Sequence, residues 1–430
     1  MISEHASPLA ALGGTDSGGQ NVYVASLARL LARRGIEVDV YTRRDAPDLP
    51  ECVECQPGLR VIHVPAGPPA AIPKEDLLPQ MPEFADFMRA SCRARRYDLV
   101  HANFWMSGMV AADLQRRFGI PFVVTFHALG RVRRRWQGTE DRFPDVRFAI
   151  EEEVTQSADR IIAECPQDRA DLVDLYDADP ERLRVIPCGF DPEEMFPVSR
   201  AAARAALGLP RDAFVVLQLG RLVPRKGIDT VVRGFGRFCR DRGGDARLLV
   251  VGGESVEPDP RLTPEIGRLR RIAAEEGVDH RVFFTGRRSR GVLRYYYSAA
   301  DVFVTLPWYE PFGITPLEAM ACAVPVIGSA VGGVKYTVLD GVTGCLVLPS
   351  DEEALAACLR TLDRDTALRH AMGERGRLRV ARHFTWARVA SQVEAAYEDL
   401  LGRRRLARGT ARPGCIAHAP GRRAAAVSGD

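Results

Sequence analysis

Lysine is almost missing from this chain. Among 59 basic side chains only Lys74, Lys226 and Lys335 are lysines, and all the others are arginines. Acidic side chains number 56, so the formal net charge of +3 gives no reason to expect a nucleic-acid partner. An arginine-rich composition is typical of a genome biased towards arginine codons. A lysine retained against that bias therefore invites the question of what its compact ammonium group binds.

Long hydrophobic runs are also missing. No stretch of about 18 apolar residues occurs, so the sequence predicts no membrane-spanning helix. The N-terminal stretch MISEHASPLA lacks the basic and apolar regions of a signal peptide, and a cytoplasmic location is the default expectation. The ten cysteines follow no repeated spacing. Cys52 and Cys55 form an isolated C-x-x-C in a Pro-rich stretch predicted to be a loop, without the second pair or histidines that a zinc site needs.

Apolar segments rich in β-branched residues alternate with amphipathic helical patterns. The patterns predict strands at 36–42, 59–64, 121–126, 159–163, 213–220, 246–252, 281–285 and 301–306, and helices at 19–34, 74–96 and 145–157. Such alternation favours parallel sheets that are covered by helices on both faces. We therefore predict an α/β protein.

A turn-rich stretch at 187–203 interrupts the strand pattern and predicts a division of the chain. We expect two doubly wound, Rossmann-like domains, at 1–190 and 195–385, that face a cleft. A helix at 386–401 should pack back on the N-terminal domain. The Arg/Ala/Gly-rich tail at 402–430 lacks periodicity and is predicted to be disordered.

Two glycine-rich or basic loops precede helices. In GGTDSGGQN (13–21), Gly18 and Gly19 permit close backbone approach at a helix N-terminus that favours an anion, although a plain turn is an equal alternative. The spacing is not the G-x-G-x-x-G of a dinucleotide site. In GRLVPRKG (220–227), Arg221 and Lys226 suit a diphosphate, since arginine can form bidentate hydrogen bonds with it and lysine acts as a point charge.

The stretch WYEPFGITPLEAM (308–320) carries two carboxylates around a turn. Thr315 is a good N-cap with Pro316 at the first helical position, so Thr315 and Glu318 read as a capping box. Glu310 has no capping duty and should lie in the cleft. Paired hydroxyls of a ribose or a sugar ring would donate well to such carboxylates.

Histidine and arginine supply weaker signals. His127 ends the strand PFVVTFH on the cleft side, where a purely structural hydrogen bond is the alternative to a direct role. The run RVRRRW (131–136) could meet a phosphorylated acceptor or the surface of a membrane, but an exposed basic loop is more common.

Three motifs in order resemble a large family of glycosyltransferases: GRLVPRKG, EPFGITPLE and VGGVKYTVLDGVTG (331–344). Over roughly residues 1–401 the chain is similar to the retaining enzymes of family 4, which have the two-domain GT-B architecture. The resemblance implies that a sugar of the glucose or N-acetylglucosamine type moves from a UDP-sugar to a hydroxyl acceptor, with retention of configuration. It implies no cofactor and no metal.

The resemblance also implies roles on the donor side. Arg221 and Lys226 would hold the diphosphate and stabilise its charge as it leaves, while Gly18 and Gly19 would let it approach. Catalysis would then be largely positioning and charge stabilisation.

Other matching positions would hold the sugar and the nucleoside. Glu310 would contact the sugar hydroxyls, Glu318 the ribose, and His127 the sugar near the reacting carbon. Backbone amides of the intervening turn would lie nearby: Phe312, Gly313 and Ile314.

Within the family the chain resembles the N-acetylglucosaminyltransferase branch of mycothiol synthesis and the sucrose-phosphate-synthase-like branch. Asn21, Lys74 and Arg147 match acceptor positions of the former. Phe104 and Ala128 depart from it, where it has tyrosine and threonine, and the loss of each hydroxyl could weaken a buried phosphate contact by about 1–3 kcal/mol. The expected acceptor is small and polar, phosphorylated, or lipid-linked.

Several alternatives remain. Arg43 and Arg44 follow a strand where a 2′-phosphate could bind, so an NAD(P)-dependent oxidoreductase is one, and a catalytically silent sugar-nucleotide-binding protein is another. A peripheral membrane contact and a homodimer are also open. The family has a full strand before ISEHASP, whereas only residues 1–3 stand there, so we expect either a shortened first strand or a start further upstream.

Overall fold

The computed structural model describes residues 1–10, 18–240, 242 and 244–410, with side chains up to residue 404. The strands are β1 (Val38–Arg43), β2 (Cys52–Gln56), β3 (Leu59–Val64), β4 (Val100–Asn103), β5 (Phe122–Thr125), β6 (Arg160–Ala163), β7 (Leu183–Val185), β8 (Phe214–Leu219), β9 (Ala246–Val251), β10 (Val282–Gly286), β11 (Val302–Thr305), β12 (Val326–Ser329) and β13 (Gly344–Val347).

The helices mostly connect successive strands. They are α1 (Gly19–Arg33), α2 (Met81–Ala94), α3 (Trp105–Phe118), α4 (Gly130–Gln137), α5 (Val146–Ser157), α6 (Pro166–Tyr176), α7 (Arg200–Ala206), α8 (Ile228–Arg240), α9 (Pro264–Glu275), α10 (Arg290–Ala299), α11 (Ile314–Ala321), α12 (Gly332–Thr337), α13 (Glu352–Arg364), α14 (Thr366–His383) and α15 (Trp386–Thr410). Short 3-10 turns include Lys74–Asp76, Leu78–Gln80 and Pro224–Lys226.

The N-terminal residues complete the first sheet. Ile2 forms parallel bridges to Tyr41 of β1 and to Ala102 of β4. It thereby joins the group β1-β3-β2 to the group β4-β5-β6-β7. Its N–H donates to the carbonyl of His101 at 2.9 Å. Residues 1–3 thus occupy the place of a central strand.

The second sheet has the order β10-β9-β8-β11-β12-β13, and its pairs are all parallel. Its central strands β8 and β11 are buried along their whole length, which matches their mostly apolar sequences. The order reverses between β8 and β11, and ligands of such sheets bind beyond the carboxyl ends at that point. The predicted α/β class with two doubly wound sheets is confirmed.

Two local predictions were wrong. The stretch with Cys52 and Cys55 is the antiparallel edge strand β2 rather than a loop, and both thiols are exposed and unpaired. The helix predicted at 74–96 begins only at Met81, after two 3-10 turns. Pro79 and Pro82 explain the late start, because proline lacks the N–H that a helix interior uses.

Helix α15 lies against the N-terminal sheet. Tyr397 shares a hydrogen bond of 2.6 Å with Nδ1 of buried His101. Arg34 of α1 donates to Ser391 at 2.6 Å, and Arg404 pairs with Asp159 at 2.7 Å. The helix runs to Thr410, beyond the predicted end at 401. The rest of the predicted tail, 411–430, lies outside the described residues.

Within the described ranges no helix is both long enough and apolar enough to cross a membrane.

Candidate active site

A cleft of about 590 Å³ lies between the carboxyl ends of the two sheets. It is lined by loops that follow strands of both, as doubly wound sheets predict. The residues to which the family resemblance assigns donor or acceptor roles all line it: Gly18, Gly19, Asn21, Lys74, Phe104, His127, Arg147, Arg221, Lys226, Glu310, Phe312, Gly313, Ile314 and Glu318.

Two of the three lysines line this cleft. Lys74 lines its N-terminal side and stands 3.6 Å from Glu75. Lys226 lines the opposite side and pairs with Glu310. Lys335 of α12 is exposed and donates to Gln167 of α6 at 2.8 Å, which links the two domains.

Lys226 and Glu310 form an ion pair whose side chains are 18% and 12% exposed. Burial lowers the pKa of Lys226 from its ordinary 10.5 to about 8. Burial alone would raise the pKa of Glu310, but Lys226 and Arg225 outweigh it and hold that pKa below its usual value. Arg225 lies 4.0 Å from the same carboxylate and 5.2 Å from the ring centre of Tyr309. The protonation of the Lys226 ammonium group is therefore sensitive to burial and to the charges beside it.

The start of α1 approaches the second domain closely. A Cβ atom on Gly18 would stand 3.2 Å from Nε of Arg221, and one on Gly19 would stand 3.7 Å from Ile314. A larger residue at 18 would push the guanidinium aside. The remainder of this glycine-rich loop, at 11–17, lies outside the described residues.

Glu318 does not cap its helix, and the predicted capping box is wrong. Helix α11 begins at Ile314, after Gly313 with φ of 90° and no side-chain cap. Glu318 is buried, and its two oxygens accept from Arg290 Nη1 and from the Tyr297 hydroxyl, each at 2.8 Å. Arg290 also pairs with Glu194 from the segment between the domains. An ionised carboxylate accepts about four hydrogen bonds, so Glu318 can still receive a ribose hydroxyl.

His127 is held from three sides. Its Nδ1 lies 3.0 Å from Glu164 Oε1, and its Nε2 lies 3.1 Å from Asn103 Oδ1. The ring of Tyr23 meets it edge-on, with 4.8 Å between centres. The backbone φ of His127 is 57°, in the left-handed region that few residues other than glycine adopt.

Arg147 lies at the base of the N-terminal side in a cage of aromatic rings. It is completely buried, and its guanidinium carbon stands 4.4 Å from the ring centre of Phe143 and 5.1 Å from that of Phe104. Nε donates to Glu151 at 2.7 Å, and Nη2 donates to the carbonyl of Ala128 at 2.6 Å. Nη1 has no hydrogen-bond partner among the described residues.

Phe104 is itself unusual, because its φ of 87° is rare for a bulky side chain. It follows β4 directly, as His127 follows β5 after one residue. Strained residues cluster at functional sites, where the surrounding structure holds them. Their position at two neighbouring strand ends agrees with a working site.

Other predicted residues have structural duties in this arrangement. Asn21 accepts from the N–H of Gly18 at 2.9 Å and donates to the carbonyl of Ser7 at 2.9 Å, so it closes the first turn of α1. Arg43 is buried and donates to the carbonyls of Pro68 and Ala70 at 2.8 and 2.5 Å. These bonds orient Arg43 towards its own loop rather than towards a 2′-phosphate.

The basic run at 131–136 forms part of α4 and is mostly neutralised. Arg131 pairs with Glu152, Arg133 with Asp141 at 2.8 Å, and Arg134 with Asp145 at 2.7 Å. Such pairing gives no support to a membrane contact. Arg133 also lines the cleft.

Sequence reasoning missed several side chains that line the cleft: Glu164, Cys188, Arg225, Arg290 and Tyr309. Glu164 immediately follows the strand predicted at 159–163, and that position was an available signal. Arg290 and Tyr309 had no such signal, since their importance comes from Glu318 and from Gln137 of α4, which donates to the Tyr309 hydroxyl at 3.0 Å.

Among the described residues no group of three or more histidine, cysteine, aspartate or glutamate side chains is arranged to hold a metal ion.

Comparison with known proteins agrees with this geometry. The family described as Glycosyltransferase Family 4 matches residues 17–194, and Glycosyl transferases group 1 matches residues 199–379. The D-inositol 3-phosphate glycosyltransferase of Kineococcus radiotolerans is 38% identical over 425 residues, which are 95% of this chain and 97% of that protein. This chain is a family 4 glycosyltransferase.

Further relatives support the same membership. The D-inositol 3-phosphate glycosyltransferase of Actinosynnema mirum is 39% identical over 92% of this chain and 96% of that protein. The solved sucrose-phosphate synthase from Thermosynechococcus elongatus superposes with a TM-score of 0.87 at 36% identity, covering 94% of this chain and 98% of that one. The glycosyltransferase thus has the GT-B fold that the motifs implied.

Proposed function

We propose that this glycosyltransferase moves a sugar of the glucose or N-acetylglucosamine type from a UDP-sugar to a hydroxyl group of a small phosphorylated acceptor. We propose further that the configuration at the anomeric carbon is retained and that no metal is required. The observation that carries the acceptor assignment is the buried guanidinium of Arg147, whose Nη1 has no partner among the described residues.

On the donor side, Arg221 and Lys226 would bind the diphosphate, and Glu310 would accept hydrogen bonds from the sugar. The existing pair between Lys226 and Glu310 places a cation and an acceptor next to each other, as a sugar joined to a phosphate requires. Glu318, fixed by Arg290, would receive the ribose. Two cations can balance the charge of the leaving group, which supports the expectation that no metal takes part.

The reaction itself needs one bond to form and one to break. The acceptor oxygen bonds to the anomeric carbon, while the bond from that carbon to the diphosphate oxygen breaks and its electron pair remains on UDP. The hydroxyl proton passes to the departing diphosphate oxygen. Attack and departure on one face give retention, and the protein contributes positioning and charge stabilisation.

On the acceptor side, a buried donor without a partner is costly unless a ligand satisfies it. A phosphate group would give Arg147 charged acceptors, and the planar guanidinium suits such contacts. Lys74, Arg133 and Arg142 also line this side, and Glu75 offsets part of their charge. These cations favour an anionic acceptor that would share them with the carboxylates of this side.

The names of the relatives support a phosphorylated acceptor. One name includes inositol 3-phosphate, and the other names a phosphorylated product, sucrose-phosphate. Phe104 and Ala128 carry no hydroxyl, so the phosphate would depend more on the cations. Phe104 instead closes the cage around Arg147. We therefore expect the rate of sugar transfer to depend strongly on the charge of the acceptor.

The test offers UDP-glucose and UDP-N-acetylglucosamine to the purified protein with matched acceptors: inositol 3-phosphate against inositol, fructose 6-phosphate against fructose, and a lipid-linked sugar. Mass spectrometry detects the product. We expect transfer to a phosphorylated member and at least about tenfold less to its dephosphorylated partner. Equal rates for both members, or transfer to the lipid alone, would overturn the acceptor assignment.

Two further measurements address the remaining parts. The coupling constant of the anomeric proton in the product distinguishes retention from inversion. Activity after treatment with EDTA should equal that of the untreated protein. Loss of activity that magnesium or manganese restores would contradict the metal-independent mechanism.

A further inference from the structure

We propose that Glu164 is a positioning residue that holds the imidazole of His127 in the orientation needed for glycosyl transfer. Glu164 follows β6 directly, next to the strand end from which His127 emerges, and both line the cleft. The inference rests on the proposed contact between His127 and the donor sugar.

Two side-chain contacts surround the imidazole. Nδ1 lies 3.0 Å from Oε1 of Glu164, and a carboxylate oxygen accepts the hydrogen of that nitrogen. Nε2 lies 3.1 Å from Asn103 Oδ1, and the amide of Asn103 is oriented by its bond to the carbonyl of Ile2 at 3.3 Å. A neutral ring with its hydrogen on Nδ1 bonds to Glu164 but not to the amide oxygen of Asn103, so Glu164 is the group that orients it.

The backbone explains why such holding is needed. With φ of 57°, His127 occupies a conformation that persists only when its surroundings enforce it. The side chains of His127 and Glu164 are 8% and 4% exposed, so water cannot easily replace the carboxylate. Loss of Glu164 would remove the hydrogen bond that orients the ring on a strained backbone.

Neighbouring groups also hold Glu164 in place. Oε1 of Glu164 accepts from the thiol of Cys188 at 3.0 Å. The backbone N–H of Glu164 donates to Asp168 at 2.9 Å. The carboxylate that contacts His127 is therefore fixed through both its side chain and its backbone.

The test compares Glu164→Gln, which keeps the size of the side chain, with Glu164→Ala. Glu153→Gln is the matched control, since Glu153 is an exposed partner of Arg116 on α5. Because small misplacements of a group near the reacting atoms cost up to about 10²-fold, we expect kcat of Glu164→Gln to fall about 10- to 100-fold, with KM for the UDP-sugar nearly unchanged. Glu153→Gln should behave as the unaltered protein.

A second readout reports on His127 directly. In protein labelled with 15N at histidine, the ring signals of His127 are those lost in His127→Ala. We expect Glu164→Gln to shift them and Glu153→Gln to leave them unchanged. Circular dichroism checks folding, and Glu164→Asp should restore part of kcat if a carboxylate is what matters.

The outcomes separate this inference from the proposed function. Unchanged kcat in Glu164→Gln, or a loss of kcat with unmoved His127 signals, would overturn the positioning role. Full activity in His127→Ala would instead contradict the contact between His127 and the donor sugar, whatever the spectrum of Glu164→Gln shows.

Discussion

The two sides of the cleft differ in how deeply their cations are buried: Lys226 and Arg290 on the C-terminal side are 18% and 21% exposed, whereas Arg147 on the N-terminal side is completely buried. Lys226 meets Glu310, and Arg290 meets Glu318. Arg147 uses two of its nitrogens, and its third finds no partner among the described residues.

This difference shows how the two substrates would be received. A diphosphate arriving at Lys226 must share an ammonium group that already serves a carboxylate. A phosphate arriving at Arg147 would find a donor whose position is fixed by Glu151 and by flanking rings. The donor side would therefore adjust its charges on binding, while the acceptor side is organised beforehand.

The largest expected effect on the C-terminal side is that of Lys226→Ala. The change removes a cation from the diphosphate and leaves Glu310 buried, with Arg225 at 4.0 Å. We expect kcat/KM to fall by about 10²- to 10³-fold and UDP affinity, measured by calorimetry, to fall at least about tenfold. Lys335→Ala, at the exposed contact with Gln167, is the control and should bind UDP normally. Undiminished UDP affinity in Lys226→Ala would place the donor elsewhere.

The N-terminal side is tested by Arg147→Met. Glu151 would lose its buried cation but keep its hydrogen bonds from the N–H of Gly130 and the hydroxyl of Tyr176. We therefore expect the free energy of unfolding to fall by about 3 kcal/mol. The melting temperature should fall by roughly 6 to 12 °C. The double variant Arg147→Met, Glu151→Met removes both charges and should recover much of that loss. A double variant no more stable than the single one would contradict the ion-pair explanation.

Backbone geometry offers a smaller test of the donor side. Gly227 has φ of 62°, and a Cβ there would stand 1.9 Å from the carbonyl of Leu306. Gly277 has φ of 71°, but no described atom lies within 4 Å of its Cβ position. Both alanine variants incur similar conformational strain, yet only Gly227→Ala should displace the loop of Lys226 and weaken UDP binding, by about tenfold. Equal UDP affinities in the two variants would show that the clash is relieved elsewhere.

The smallest expected effect is a pH dependence. Lys226 has a pKa of about 8, and the protonated form binds diphosphate, so affinity for UDP should decrease as pH rises through that value. Between about pH 8 and 9 we expect a loss of about three- to tenfold. Lys226→Arg remains charged over this range, so its affinity should stay level. If the UDP affinity of the unaltered protein did not change over this pH range, Lys226 would keep its proton throughout it.

Much of the site could be predicted from sequence because its motifs are local. Lys226 and Glu310 each stand just beyond a recognisable apolar strand, and the carboxyl ends of parallel strands meet at one edge of a sheet. Short patterns along the chain therefore located both sides of the cleft. The two-domain α/β fold followed from the same alternation of strands and helices.

Partners of the buried charges could not be predicted in that way. The spacing of Thr315 and Glu318 suggested a cap, but the helix begins earlier, and Glu318 instead bonds to Arg290 and Tyr297. Likewise, residues 1–3 act as a central strand only because β1 and β4 lie on either side of them.

The sequence by itself determined which segments become strands and helices, and hence where a cleft with Lys226 and Glu310 would form. Only the tertiary structure decided that Glu164 would hold His127 and that Arg147 would lie in an aromatic cage. The physical reason is one of range. Periodicity and turn chemistry act between neighbours in the chain, whereas a buried charge takes its partner from whichever distant segment packs against it.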